Sequence, residues 1–181
     1  MAPAHRCGVD VREATIAELV VAARAGDRGA FTGLYQRFHR VVHAVALARV
    51  PACDAGDVVQ DAFADAWAKL GRLREPAAFG GWILAIARNR ATDAARRPRP
   101  ADVAADLAVD PPPRAEAAAA LRAIRELPDT YRETLVMRLV EGLTGPEIAA
   151  HTGMSPDSVR VHLHRGMKLL RERLGGEGGQ R

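Results

Sequence analysis

His39 and His43, four residues apart, would share one face of a helix, and that spacing is the nearest the chain comes to a metal-ligand pair. The glutamate of the H-E-x-x-H pattern is missing, and no further ligand cluster accompanies the pair; His5 and Cys7 lie apart near the start. Cys7 and Cys53, the only cysteines, have no paired spacing, so neither a disulfide framework nor a multi-cysteine zinc site is indicated. Walker, Rossmann and nucleophile-elbow patterns are absent. The sequence thus points to no catalytic residue, no metal and no cofactor, and its chemistry has to be sought in charge.

Charge is segregated along the chain. Asp57, Asp61 and Asp65 recur every four residues, which stacks three carboxylates on one helix face. Like charges at that spacing repel by roughly 0.2–0.5 kcal/mol per pair, a cost that a basic partner would offset. Between Arg72 and Arg99, seven arginines face only Glu75 and Asp93, a net +5. Among them Asn89 has the side chain to hydrogen-bond a base edge while guanidinium groups hold the phosphates of a single strand. Asp129 to Glu147 is net −2, whereas Ser155 to Leu174 carries Arg160, Arg165, Lys168, Arg171 and Arg173 against Asp157 and Glu172, a net +3. The whole chain, at +4 with a pI near 9.7, favours a polyanionic partner.

The elements that must position these groups are helices. Apolar residues recur at helical spacing, strand-like alternation is absent, and alanine is abundant, so the fold class is all-α. Helices are expected over 14–26, 28–49, 54–72 and 78–97, then over 115–126, 129–142, 145–152 and 156–174. Residues 98–114 hold five of the eleven prolines and read as a flexible linker. At about 3.1 Å per residue such a spacer reaches on the order of 50 Å. Two small helical domains follow, 14–97 and 115–174, with 175–181 a disordered tail. Seven of the eight aromatic residues fall in the first domain and anchor its core. No signal peptide or membrane anchor is visible, and a reducing cytoplasm fits two cysteines that lack paired spacing.

In the second domain Thr144 and Glu147 have capping-box spacing, Gly153 breaks the helix, and Ser155 with Pro156 starts another. Val159, Leu163, Met167, Leu170 and Leu174 form its apolar stripe. Two short helices joined by a glycine turn, the second basic, describe a helix-turn-helix whose exposed helix start reads base edges in a major groove. Leu127-Pro128, Tyr131-Arg132-Glu133, Glu141-Gly142-Leu143-Thr144, Glu147-Ile148-Ala149, Gly153, Ser155, Ser158-Val159-Arg160 and Leu163-His164-Arg165 resemble region 4 of extracytoplasmic-function (ECF, group 4) sigma factors of bacterial RNA polymerase. The resemblance implies that this unit reads a −35 promoter element, with Ser158, Arg160 and Val161 near base edges and His164, Arg165 and Lys168 nearer the backbone. Val161 and Met167 stand where the family more often has a polar and a basic residue.

The first domain carries the family's other half. Asp57-Val58-Val59-Gln60-Asp61-Ala62-Phe63 resembles region 2.2, which implies docking on the polymerase through Asp57, Gln60, Asp61 and Asp65, while Phe63 and Trp67 hold the helix in its core. Phe79, Trp82, Ile86-Ala87-Arg88-Asn89, Asp93 and Arg96-Arg97 resemble regions 2.3 and 2.4, which melt and recognise the −10 element. On that likeness Asn89, Arg96 and Arg97 meet DNA, supported by Arg88 and Asp93. Gly80-Gly81 replaces the family's usual charged residue and alanine, and loosens the helix start near the melting loop. The partners implied are core RNA polymerase, through its β′ clamp and β flap, promoter DNA, and an anti-sigma factor; membrane insertion is not expected. A stand-alone helix-turn-helix regulator is the alternative, and it would leave the matches of the first domain unexplained.

Overall fold

The computed structural model of the protein describes residue 10, residues 12–97 and residues 112–177, and among them every regular element is helical. The first group comprises α1 (Ile16–Arg24), α2 (Arg28–Leu47), α3 (Ala52–Lys69) and α4 (Phe79–Arg96), with 3-10 turns at Leu70–Arg72 and Pro76–Ala78. The second comprises α5 (Pro112–Arg125), α6 (Asp129–Leu139), α7 (Gly145–Thr152) and α8 (Pro156–Glu177). None of these helices is long and apolar enough to cross a membrane.

Local chemistry sets the boundaries. Thr15 and Glu18 close a capping box at α1, in which the Thr15 amide donates to Glu18 Oε2 at 2.7 Å and the Glu18 amide to Thr15 Oγ1 at 3.3 Å. Asp27 caps α2 by accepting from the Ala30 amide at 3.1 Å. In α2 the apolar spacing buries Leu34, Phe38, Val41, Val42 and Val45. The rings of Phe38 and Phe79 meet edge to face at 5.2 Å and join α2 to α4. Leu19, Leu34, Ile83 and Leu84, all without solvent exposure, complete this core. Arg24 ties α1 down by donating to the carbonyls of Leu70 and Leu73.

Ile124, Leu127, Leu135, Met137, Ile148, Val159 and Leu170 fill the second core. Gly166 lets α8 lie directly on α6: a Cβ there would stand 3.0 Å from Leu135 Cδ1 and 3.2 Å from Tyr131 Cβ. The expected stripe of α8 is deep only at Val159 and Leu170; Leu163 and Met167 are half-buried, and Leu174 is 40% exposed because no described element covers it.

Several sequence expectations are corrected. α5 begins at Pro112, inside the expected linker, because prolines in the first helical turn forfeit no intrahelical hydrogen bond. The rest of that linker, 98–111, lies outside the described residues. α8 runs on through Gly175 to Glu177 where a disordered tail was expected; 178–181 lie outside the described residues. Trp67 is not core: it is 42% exposed at the edge of α3, its ring against Phe31.

The two helix groups also pack on each other, α2 against α6 and α4 against α7. Their buried apolar residues form one continuous cluster.

Candidate nucleic-acid interface

Three surfaces carry the residues singled out above. On α3, Asp57, Gln60 and Asp61 are exposed, and the buried face of the same helix consists of Ala55, Val58, Val59, Ala62, Phe63 and Ala66. Asp65 differs. Arg90 reaches it from α4 with Nε 3.0 Å from Oδ2 and Nη2 2.6 Å from Oδ1, and Lys69 Nζ lies 2.8 Å from Oδ2. Arg90 first and Lys69 second hold the Asp65 carboxyl below the usual carboxylate range. The pairing of Arg90 with Asp93 that spacing suggests gives way to this bidentate contact, because the neighbouring helix offers a carboxylate in fork geometry.

The last two turns of α4 form the second surface. Asn89, Asp93, Arg96 and Arg97 are exposed. Asn89 and Asp93 line a depression of about 260 Å³ together with Asp65, Lys69, Ile86 and Arg90. Arg88 faces elsewhere: its Nε and Nη2 each donate to a carboxylate oxygen of Glu133 on α6 at 2.9 Å. That hydrogen-bonded pair raises the Arg88 pKa further and keeps its charge fixed.

The third surface is the start of α8. The Thr144–Glu147 capping box forms as the spacing predicts, with the Thr144 amide and hydroxyl each 2.7 Å from Glu147 Oε2. Those hydrogen bonds, the backbone one foremost, hold the Glu147 carboxyl below its usual range. Gly153 takes φ +74°, the left-handed conformation that turns the chain out of α7. Ser155 Oγ then accepts from the Ser158 amide at 3.1 Å and starts α8. Ser158, Arg160, Val161, His164, Arg165 and Lys168 all project outward from the first four turns. Arg160 rests 3.2 Å from Asp157, both side chains at least 80% exposed, so water screens the pair and Arg160 exchanges it readily for a phosphate or a base. Val161 is 39% exposed and shares an open pocket with Arg160, His164 and Arg165. An exposed valine amid cations suits contact with a thymine methyl group.

What sequence reasoning missed is the seam between the two helix groups. Arg49 Nη1 lies 2.6 Å from Glu133 Oε1, His43 Nδ1 2.7 Å from Glu141 Oε1, and Arg40 Nε 3.6 Å from Glu141 Oε2. Arg125 Nε donates to the Leu47 carbonyl at 3.0 Å. His151 puts its ring edge to face on Phe38 at 5.3 Å, and burial pushes its imidazole pKa down. Gly80, expected to loosen α4, is instead a packing position: a Cβ there would stand 3.0 Å from Phe38 Cε1 and 3.1 Å from the His151 carbonyl oxygen. His43 turns toward Glu141, and no group of three metal-ligating side chains occurs among the described residues.

Residues 34–100 match the family model for sigma-70 region 2, and residues 117–170 that for sigma-70 region 4. The probable RNA polymerase sigma factor RfaY of Xanthomonas campestris pv. campestris is 34% identical over 84% of the chain, which spans only 42% of that relative's length. The RNA polymerase sigma factor CarQ of Myxococcus xanthus is 33% identical, covering 84% of this chain and 93% of CarQ. The ECF RNA polymerase sigma factor SigM of Mycobacterium tuberculosis is 32% identical, with 90% and 86% covered. Among solved structures, CnrH in complex with the cytosolic domain of CnrY aligns with a TM-score of 0.62 at 28% identity, covering 89% of this chain and 97% of CnrH.

Proposed function

The chain belongs to the sigma-70 family, in its ECF branch, and on that footing we propose how its surfaces divide the work of a promoter-specificity subunit. It binds core RNA polymerase and promoter DNA and directs transcription initiation, while bond formation belongs to the polymerase. Residues 14–97 serve as the docking and −10 unit and residues 112–177 as the −35 unit, joined by 98–111.

The observation that carries this division is the separation of charge by surface. Asp57, Gln60 and Asp61 present an exposed acidic face on a well-packed helix, suited to a basic docking surface such as the β′ clamp. Asp65 supports that face from the side, since its carboxylate is committed to Arg90 and Lys69. Asn89 and Asp93 line an open depression beside Arg96 and Arg97, where an unstacked base finds a hydrogen-bonding edge and its phosphates find cations. Arg88 extends this surface when it is released from Glu133. At the start of α8, Ser158, Arg160 and Val161 reach bases, and His164, Arg165 and Lys168 hold the backbone. The β flap is the contact we assign to the second unit on the polymerase. An anti-sigma factor is the further partner, a reading supported by CnrH, which is seen in complex with the cytosolic domain of CnrY.

Affinity for core polymerase tests the docking assignment. Gln60→Ala with Asp61→Ala weakens that affinity at least about tenfold, on the order expected when charge complementarity is lost, and leaves the helical spectrum unchanged because both side chains are exposed. Unchanged affinity in a folded variant would refute the assignment.

A further inference from the structure

We infer that Val161 reads the C5 methyl group of one thymine in the −35 element, so that this protein selects an A·T pair there by apolar contact; this rests on the reading of residues 112–177 as the −35 unit. The first observation is where the apolar residues of α8 go. Val159, Leu163, Met167, Leu169 and Leu170 all pack on the core, whereas Val161 is left 39% exposed. Folding gives no reason for a valine at that position. It buries little, and a β-branched residue is a poorer helix former than the arginine, lysine or glutamine that an exposed site accepts.

The surroundings of Val161 supply a reason. At about 100° per residue, Arg160, His164, Lys168, Val161 and Arg165 follow one another round the helix within an arc of about 140°. Val161 lies inside that arc, between Lys168 and Arg165, and with Arg160, His164 and Arg165 it lines an open depression of about 320 Å³. Over the first four turns Asp157 is the one acidic residue, and its carboxylate lies 3.2 Å from Arg160. Cations along such an arc hold phosphates, and a short side chain between them faces the base edges on the floor of the groove.

A valine on that floor can form no hydrogen bond with a polar base edge. Opposite the amino group of cytosine or adenine, or the acceptors of guanine, it displaces water and leaves the base group unpaired. Thymine alone among the four bases turns a methyl group into the major groove, and contact with it removes apolar surface from water on both sides. Selection is thus twofold, by a gain on thymine and a penalty on the other bases. Because the family more often has a polar residue where Val161 stands, the preference belongs to this chain.

The test exchanges the methyl group for hydrogen in the DNA. On a promoter used by the full chain with core RNA polymerase, the thymines of the −35 element are replaced one at a time, on each strand, by deoxyuridine. The base pair is kept and only the methyl is lost. Run-off transcription falls about fourfold at one of these positions, the effect of one buried methyl group. A pair of 5-methylcytosine with guanine at that position is used better than the unmethylated pair. Val161→Ser keeps the parent's circular dichroism, since the side chain is exposed, and transcribes the thymine and deoxyuridine templates equally. Val161→Ile restores the preference. A −35 element with no A·T pair, replacement without effect at every position, or a Val161→Ser variant as sensitive as the parent would overturn the contact. If polymerase with this protein yields no start sites at all, the sigma reading fails and the contact falls with it; start sites indifferent to the methyl group overturn the role of Val161 alone.

Discussion

Asp61 and Asp65 lie one helical turn apart and differ in what they touch. Asp61 is exposed, whereas Asp65 is gripped by Arg90 and Lys69. The Asp65 pKa is lowered in the folded chain, so its contribution to stability is present above the ordinary value of 3.8 and is lost as the pH falls through the depressed one. The difference in thermal midpoint between the parent and Asp65→Asn is accordingly full near neutrality and shrinks in acid below that value; thermal melts over a pH series measure it, and a pH-independent difference would contradict the ion-pair account. At the other end of the molecule Arg160 is largely in water, in an exposed ion pair with Asp157. Arg160→Ala leaves the fold intact and costs about 1–3 kcal/mol of −35 discrimination, the usual worth of one good base contact. Transcription from wild-type and −35-substituted promoters checks this, and undiminished sensitivity in the variant would refute the contact.

At the scale of elements, much was legible in the sequence because helices announce themselves locally. Thr144 and Glu147 lie three residues apart and Ser155 directly precedes Pro156, so local sequence alone marks the starts of α7 and α8. The charged face of α3 and the outward cations of α8 follow from a 3.6-residue period. What was not legible is longer in range. Glu133 reads as one acid among several on a wet helix, and nothing near it in sequence identifies Arg88, 45 residues away, as its partner. Gly80 reads as a weak helix start because its occupant, the His151 carbonyl, belongs to another helix. Trp67 reads as core on periodicity, yet it is 42% exposed with its ring against Phe31 at the edge of α2. Close helix packing also yields a direct prediction. Gly166→Val pushes α8 off Leu135 and destabilises the second unit by about 1–3 kcal/mol, the usual cost of overpacking. Denaturant titration followed by circular dichroism would show an earlier transition, and an unchanged midpoint would mean the α6–α8 approach is looser than described.

Across the whole molecule, two weakly binding surfaces on one chain become strong when a scaffold presents both promoter elements at once, since the second contact is made at high effective concentration. A seam that joins the two units in the unbound protein is compatible with that mechanism as long as it opens on the polymerase, and ion pairs suit a seam that must open. Promoter recognition is therefore expected from the complex of this protein with the polymerase. Run-off transcription with bacterial core polymerase on a promoter library, with and without this protein, measures that directly. The account predicts discrete new start sites preceded by a shared pair of motifs near −10 and −35; start sites that are identical with and without the protein, although it binds the core enzyme, would contradict it.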